Sequence, residues 1–138
     1  MATSSQSFSW PVRVYFEDTD SGGVVYYANY LKFFERARSE WLRAIDVSQQ
    51  DLIDRHKIMF VVAGATVDYL APARLDDDLK ITVSVKRLGR ASVEFAQQVW
   101  CANTLLTNAQ IKVACVGCGS MRPQTFPQEV LEKIRGKV

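Results

Sequence analysis

Residues 12–43, VRVYFEDTDSGGVVYYANYLKFFERARSEWLR, contain a change of period on which the fold turns. Val12, Val14 and Phe16 alternate with Arg13 and Tyr15, the two-residue repeat of a half-buried strand. Glu17-Asp18-Thr19-Asp20-Ser21-Gly22-Gly23 then supplies only acids and turn formers, which predicts a loop bearing three carboxylates in four positions. From Tyr30 onward, Tyr30, Phe33, Phe34, Ala37, Trp41 and Leu42 recur at helical spacing and predict a helix of about four turns. Its wide aromatic stripe suits a helix wrapped by a curved sheet. Glu35 with Arg38, and Glu40 with Arg43, stand three apart on what reads as a solvated face.

Outward from that helix, Val47 to Lys57 is polar and allows at most a short second helix. Four segments rich in β-branched residues follow: Met59 to Leu70, Leu79 to Leu88, Ser92 to Ala102 and Leu105 to Gly117. Pro72 with Asp76-Asp77-Asp78, then Gly89-Arg90, then Asn103-Thr104 separate them, and such short connections predict an antiparallel meander. Pro123 and Pro127 break the pattern, after which Gln128 to Arg135 can form one or two helical turns. The expectation is a single α+β domain over residues 1–138, a curved antiparallel five-stranded sheet around one long helix. Residues 1–8 are expected to be a short flexible N-terminus and 122–138 a C-terminal tail. An open sheet has edges, so strand-to-strand dimerisation is expected.

Composition removes several function classes. At 48% hydrophobic and 23% charged, the chain is an ordinary globule rather than a disordered, collagenous or coiled-coil sequence. A net charge of +2 is too small to attract a polyanion, so nucleic acid is not an expected partner. No segment approaches the roughly 18 apolar residues of a membrane helix and no signal peptide is evident, which predicts a soluble cytoplasmic protein. Cys115 and Cys118 form C-x-x-C, but a zinc site needs about four ligands and the remaining candidates are only Cys101 and His56. These cysteines read as thiols in a strand, His56 as a connecting residue, and no metal is expected. Gly117-Cys118-Gly119-Ser120 is not a nucleophile elbow, and the chain has neither a phosphate-loop nor a dinucleotide glycine pattern, so no cofactor is expected.

The acid-rich loop is the candidate for chemistry. A carboxylate followed by paired glycines and a helix start lies beside backbone N–H groups whose dipole favours developing negative charge. Gly22 and Gly23 let the main chain approach a ligand. The same residues could instead merely cap the helix and turn the chain, and spacing alone does not choose between Asp18 and Asp20.

The run from Val12 to Arg43 resembles the hotdog-fold acyl-CoA thioesterases of the 4-hydroxybenzoyl-CoA thioesterase type. Within that family the likeness is to the bacterial thioesterases associated with the Tol-Pal cell-envelope system. Trp10-Pro11-Val12-Arg13-Val14, the D-T-D-x-G-G-V-V-Y core, F-E-R-A-R and Ala71-Pro72-Ala73-Arg74-Leu75-Asp76-Asp77 carry it. The resemblance implies a hotdog fold and hydrolysis of an acyl-CoA to free acid and CoA, with acyl-CoA as substrate, acyl carrier protein as a possible partner, and a homodimer or homotetramer with its site at the subunit interface.

By that resemblance Asp20 is the general base or the nucleophile, and the backbone N–H of Tyr27 polarises the thioester oxygen. Gly23 and Asn29 fall on substrate-side positions, although Asn29 could equally be a local helix-end hydrogen bonder. Arg87 and Arg90, clustered with Lys86 at a strand turn, fall in the region that contacts CoA phosphates, although a basic hairpin is usually only a solvated turn. The Tol-Pal-associated group usually has His where this chain has Tyr27, and often Tyr where it has Phe16. With no proton-shuttling His at that position, a non-catalytic module binding acyl-CoA or acyl carrier protein is the rival reading. Dehydration by a His and acid pair is disfavoured for the same reason.

Overall fold

Strand β4 (Ser92–Cys101) shows which face of the sheet packs inward: Val93, Phe95, Gln97 and Val99 are buried on one face and the intervening residues only half-buried. The computed structural model describes residues 8–138, in which β1 (Phe8–Arg13), β2 (Ile58–Tyr69), β3 (Asp78–Leu88), β4 and β5 (Thr104–Gly117) form one antiparallel sheet. Helix α1 (Asn29–Ala44) lies on its concave face, and α2 (Gln49–Asp51) runs into a π-helical turn at Leu52–His56. Helix α3 (Gln128–Arg135) closes the chain. This is the hotdog architecture, and no helix among the described residues is long and apolar enough to cross a membrane.

The order β1-β3-β4-β5-β2 corrects the expected four-strand meander. Only β3, β4 and β5 are consecutive neighbours; β2 pairs with β5 at the far edge. Residues 70–77 cross back over two strand ends, a reach easily met at ~3.3 Å per residue against strand spacings of about 4.8 Å. The first strand also differs from its alternation. It runs Phe8–Arg13 as an edge strand that tolerates Pro11, Val14 is buried just beyond it, and Phe16 is 80% exposed in a 3₁₀ turn. Of the expected flexible stretch 1–8, Phe8 opens β1 and the rest lies outside the described residues.

Helix α1 buries Phe33, Phe34 and Ala37 completely, and Trp41 meets Phe95 edge to face at 5.3 Å. Each such large side chain contributes about 1.5–3 kcal/mol by leaving water. Arg38 departs from the solvated face assigned to it: it is only 8% exposed, and its Nη1 donates to Oε1 of Gln97 at 2.9 Å. Gln97 in turn donates to the carbonyls of Phe34 and Thr82, tying the helix to the sheet. Glu35 instead accepts from Ser39, while Glu40 and Arg43 do pair at 2.8 Å.

The tail 122–138 belongs to the core, because Phe126, Val130 and Ile134 are buried and Phe60 packs on Phe126 at 5.5 Å. Cys115 is a fully buried free thiol whose pKa burial pushes up to about 11, leaving it inert. Because Gln97 is the acceptor of a buried cation, Gln97→Met is expected to cost about 2–3 kcal/mol in urea denaturation with an unchanged m-value.

Candidate functional site

The loop between β1 and α1 is built around Asp18. Its side chain is buried at 6% exposure, Oδ2 accepting from the Tyr15 N–H at 2.8 Å and Oδ1 from the Asn29 amide at 2.7 Å. Its carbonyl accepts from the N–H of Tyr26 at 3.0 Å. One residue thus fastens the 3₁₀ turn to the first turn of α1. Each oxygen of that carboxylate is engaged in structure.

Asp20 sits differently. Its N–H donates to the Val24 carbonyl and its carbonyl accepts from Gly23, closing a tight turn. Its Oδ1 accepts from the Gly22 N–H at 2.8 Å, and the side chain is exposed in the single chain. A Cβ on Gly22 would stand 3.2 Å from that oxygen and displace it slightly, and Gly23 has φ +80°, a backbone conformation that favours glycine. The stretch Ala71 to Asp77 packs against the loop: Val25 donates to the Ala73 carbonyl at 2.8 Å, and Arg74 N–H donates to Oδ2 of Asp77 at 2.8 Å. Structure therefore separates two aspartates that spacing left equivalent.

Helix α1 begins at Asn29, so the residues just before it carry open donors. Among the described residues the Tyr27 N–H has no acceptor, while Asn29 and Tyr30 already donate to Tyr26 and Tyr27. The Tyr27 carbonyl accepts from the Tyr69 hydroxyl at 3.0 Å, which ties the end of β2 to this turn. A cleft of about 280 Å³ opens beside it, lined by Val25, Tyr27, Tyr30, Tyr69, Leu70 and Pro72. Burial raises the pKa of Tyr30, and burial with the neighbouring Tyr30 and Tyr27 raises that of Tyr69, so both remain neutral at physiological pH. They can donate hydrogen bonds, and of the two aspartates on this loop it is Asp20 that keeps an oxygen without a hydrogen-bond donor among the described residues.

Asp20 and Gly23 thus share the turn closed at Val24, while Tyr27 and Asn29 follow in the next turn at the foot of α1, with Asn29 engaged on Asp18. Arg87 and Arg90 are not brought to it. They flank the β3–β4 turn, where Ser92 and Val93 lie across from Ala114 and Val113, level with Val61 and Val62 of β2. Tyr69, at the turn, is some eight residues further along β2, about 26 Å away. His56 lies at the arginine end too, with Nε2 3.7 Å from Oε1 of Glu129. Arg38 is the residue that sequence reading missed, although Phe34, Arg38 and Leu42 fall at i, i+4 and i+8 along the buried stripe. It lines a second cavity, of about 110 Å³, under the flank of α1 that faces β2.

Comparison with known proteins shows the family and the fold. Residues 22–107 match the Thioesterase superfamily. The acyl-CoA thioesterase YbgC of Haemophilus influenzae is 48% identical over 123 residues, covering 89% of this chain and 90% of that protein. A probable thioesterase from Bartonella henselae superposes with a TM-score of 0.84 at 32% identity, over 88% of this chain and 99% of its own. Slr0204, a 1,4-dihydroxy-2-naphthoyl-CoA thioesterase from Synechocystis, superposes with a TM-score of 0.85 at 25% identity, over 94% and 96% of the two chains. The resemblance carried by residues 12–43 and 71–77 is met by these relatives, and with the hotdog sheet and the acid-bearing turn already in place, the chain belongs to the Thioesterase superfamily and is a thioester hydrolase.

Proposed function

We propose that the protein hydrolyses acyl-CoA thioesters at a site completed by a second copy of the chain. The observation that carries this reading is the Tyr27 N–H, unpartnered among the described residues, at the foot of α1 on the same loop as Asp20. A thioester oxygen placed on that amide gains a main-chain donor as it becomes an anion. Asp20 then acts in one of two ways. As a base it takes a proton from water, whose oxygen attacks the carbonyl carbon; as a nucleophile it forms a mixed anhydride that water cleaves. In both, the carbon–sulfur bond breaks and the CoA thiolate leaves, taking up a proton. The names of the relatives support acyl-CoA as the substrate class.

One chain leaves Asp20 exposed and the basic hairpin at the wrong end of the sheet, and both problems have one solution. β2 is a twelve-residue edge strand whose middle, Val62 to Thr66, is exposed, with Val62 at 53%. Such an edge invites pairing. Two copies joined antiparallel along β2 about a two-fold axis would lay the Tyr69 end of one against the Ile58 end of the other. The turn holding Asp20 and Tyr27 then faces Arg87 and Arg90 of the second copy, which suit CoA phosphates. The same contact dries the carboxylate.

Asp20→Asn is expected to keep the fold and lose at least ~100-fold in kcat on acyl-CoA, measured as released thiol; near-native turnover would refute the role of Asp20. Asp18→Asn is expected to act through stability instead, lowering it by about 1–3 kcal/mol, because two donors lose their charged acceptor. Light scattering should give a mass of two chains or a multiple. Mixing Asp20→Asn chains with Arg87→Ala/Arg90→Ala chains should restore one competent site per mixed dimer, whereas a site built within one chain would show no such rescue. Binding of acyl-CoA without thiol release by the unaltered protein would favour the non-catalytic module.

A further inference from the structure

The cavity under α1 is unusual for what lies inside it. Its walls are largely apolar, with Leu42, Phe60, Phe95, Val113 and Ile134 among them, yet Arg38 lines it as well. Arg38 is more than nine-tenths buried, and a guanidinium carries five N–H donors in a rigid fork. Among the described residues its side-chain partner is Gln97 alone, through Nη1, and no carboxylate is ion-paired with it. Burial lowers its pKa to about 10, with the charge of Glu35 opposing that shift, so it is a cation at neutral pH. A buried charge without a counter-ion is costly, and an anion brought to it recovers that cost.

Glu35 also lines the cavity, but it is exposed, and its Oε2 is occupied by the Ser39 hydroxyl at 2.9 Å. Water screens its charge, whereas Arg38 acts through the low-dielectric interior. The arginine therefore dominates the field inside. Space sets the second condition: about 110 Å³ is less than the ~150 Å³ of a cavity that takes up benzene. The cavity reaches β2 at Phe60, Val61 and Val62, the strand end that the paired copy would bring against the Asp20 turn.

We propose that this cavity is the acyl pocket of the site in the paired chain, and that Arg38 selects short acyl groups ending in a carboxylate. The inference rests on the proposed composite site and adds to it a substrate class and the residue that sets it. The acyl chain enters between Phe60 and Leu42, and its terminal oxygens accept from the free N–H groups of Arg38.

The test uses two thioesters of similar size, malonyl-CoA and 3-methylbutanoyl-CoA, which differ in a terminal carboxylate against an isopropyl group. The wild-type protein is expected to favour malonyl-CoA in kcat/KM by roughly ten- to a hundredfold, and Arg38→Met to reverse that preference while Arg38→Lys retains part of it. Because the readout is a ratio, a general loss of stability in a variant cancels. The same pair of ligands is measured by calorimetry on Asp20→Asn and on Asp20→Asn/Arg38→Met, where no turnover is required. Tighter binding of malonyl-CoA that vanishes with Arg38 supports the pocket even if Asp20 proves not to be the catalyst. Equal or better handling of 3-methylbutanoyl-CoA in both measurements, unmoved by Arg38→Met, overturns it.

Discussion

The site depends on one buried carboxylate. Asp18 accepts from the main chain of Tyr15 on one side and from the side chain of Asn29 on the other, and so joins the end of β1 to the start of α1. Hydrogen bonds to an ionised acceptor held away from water are among the stronger ones a protein makes. With both ends fixed, the residues between them have little freedom, and Gly22 and Gly23 fold the intervening chain into a turn that presents Asp20. Among the described residues the amide of Tyr27 is left without an acceptor, two positions before the helix starts at Asn29. Burial distinguishes the two aspartates: Asp18 is enclosed with both oxygens engaged, and Asp20 is exposed with one.

The hotdog sheet supplies a second constraint. Register shifts at Val62/Gly64, Val85/Arg87 and Val99/Trp100 interrupt its ladders, and such bulges bend strands and increase their twist. Wrapping a helix in this way leaves the two ends of the sheet far apart. The acid-bearing turn occupies one end and the basic β3–β4 hairpin the other, so a single copy divides the groups a CoA thioester would need. An antiparallel edge such as β2 reunites them through symmetry, which makes assembly part of the chemistry in the proposed reading.

Arg38 and Gln97 show how a polar pair can be hidden within apolar patterns. Gln97 stands in the inward row of Val93, Phe95 and Val99, and Arg38 stands between Phe34 and Leu42 on the buried stripe. An alkyl stem allows arginine to share a hydrophobic face, so a charged letter next to Glu35 reads as solvated when it is not. Only the sheet above it reveals the acceptor that makes its burial tolerable.

Local order was written in the sequence. The bounds of α1, β3, β4, β5 and α3 follow from period and turn residues to within a position or two, because hydrophobic repeats and Pro or Gly stops act over a few residues. The glycine pair beside an acid likewise marked a turn, which closes between Asp20 and Val24. What residues 12–43 could not disclose was which aspartate is buried, that β2 crosses to the far edge, that Arg38 is inside, and that the arginine hairpin lies about a strand's length from Asp20. Each of those is a relation between segments distant along the chain, decided by which faces find each other when the sheet closes on the helix, and no local repeat encodes it.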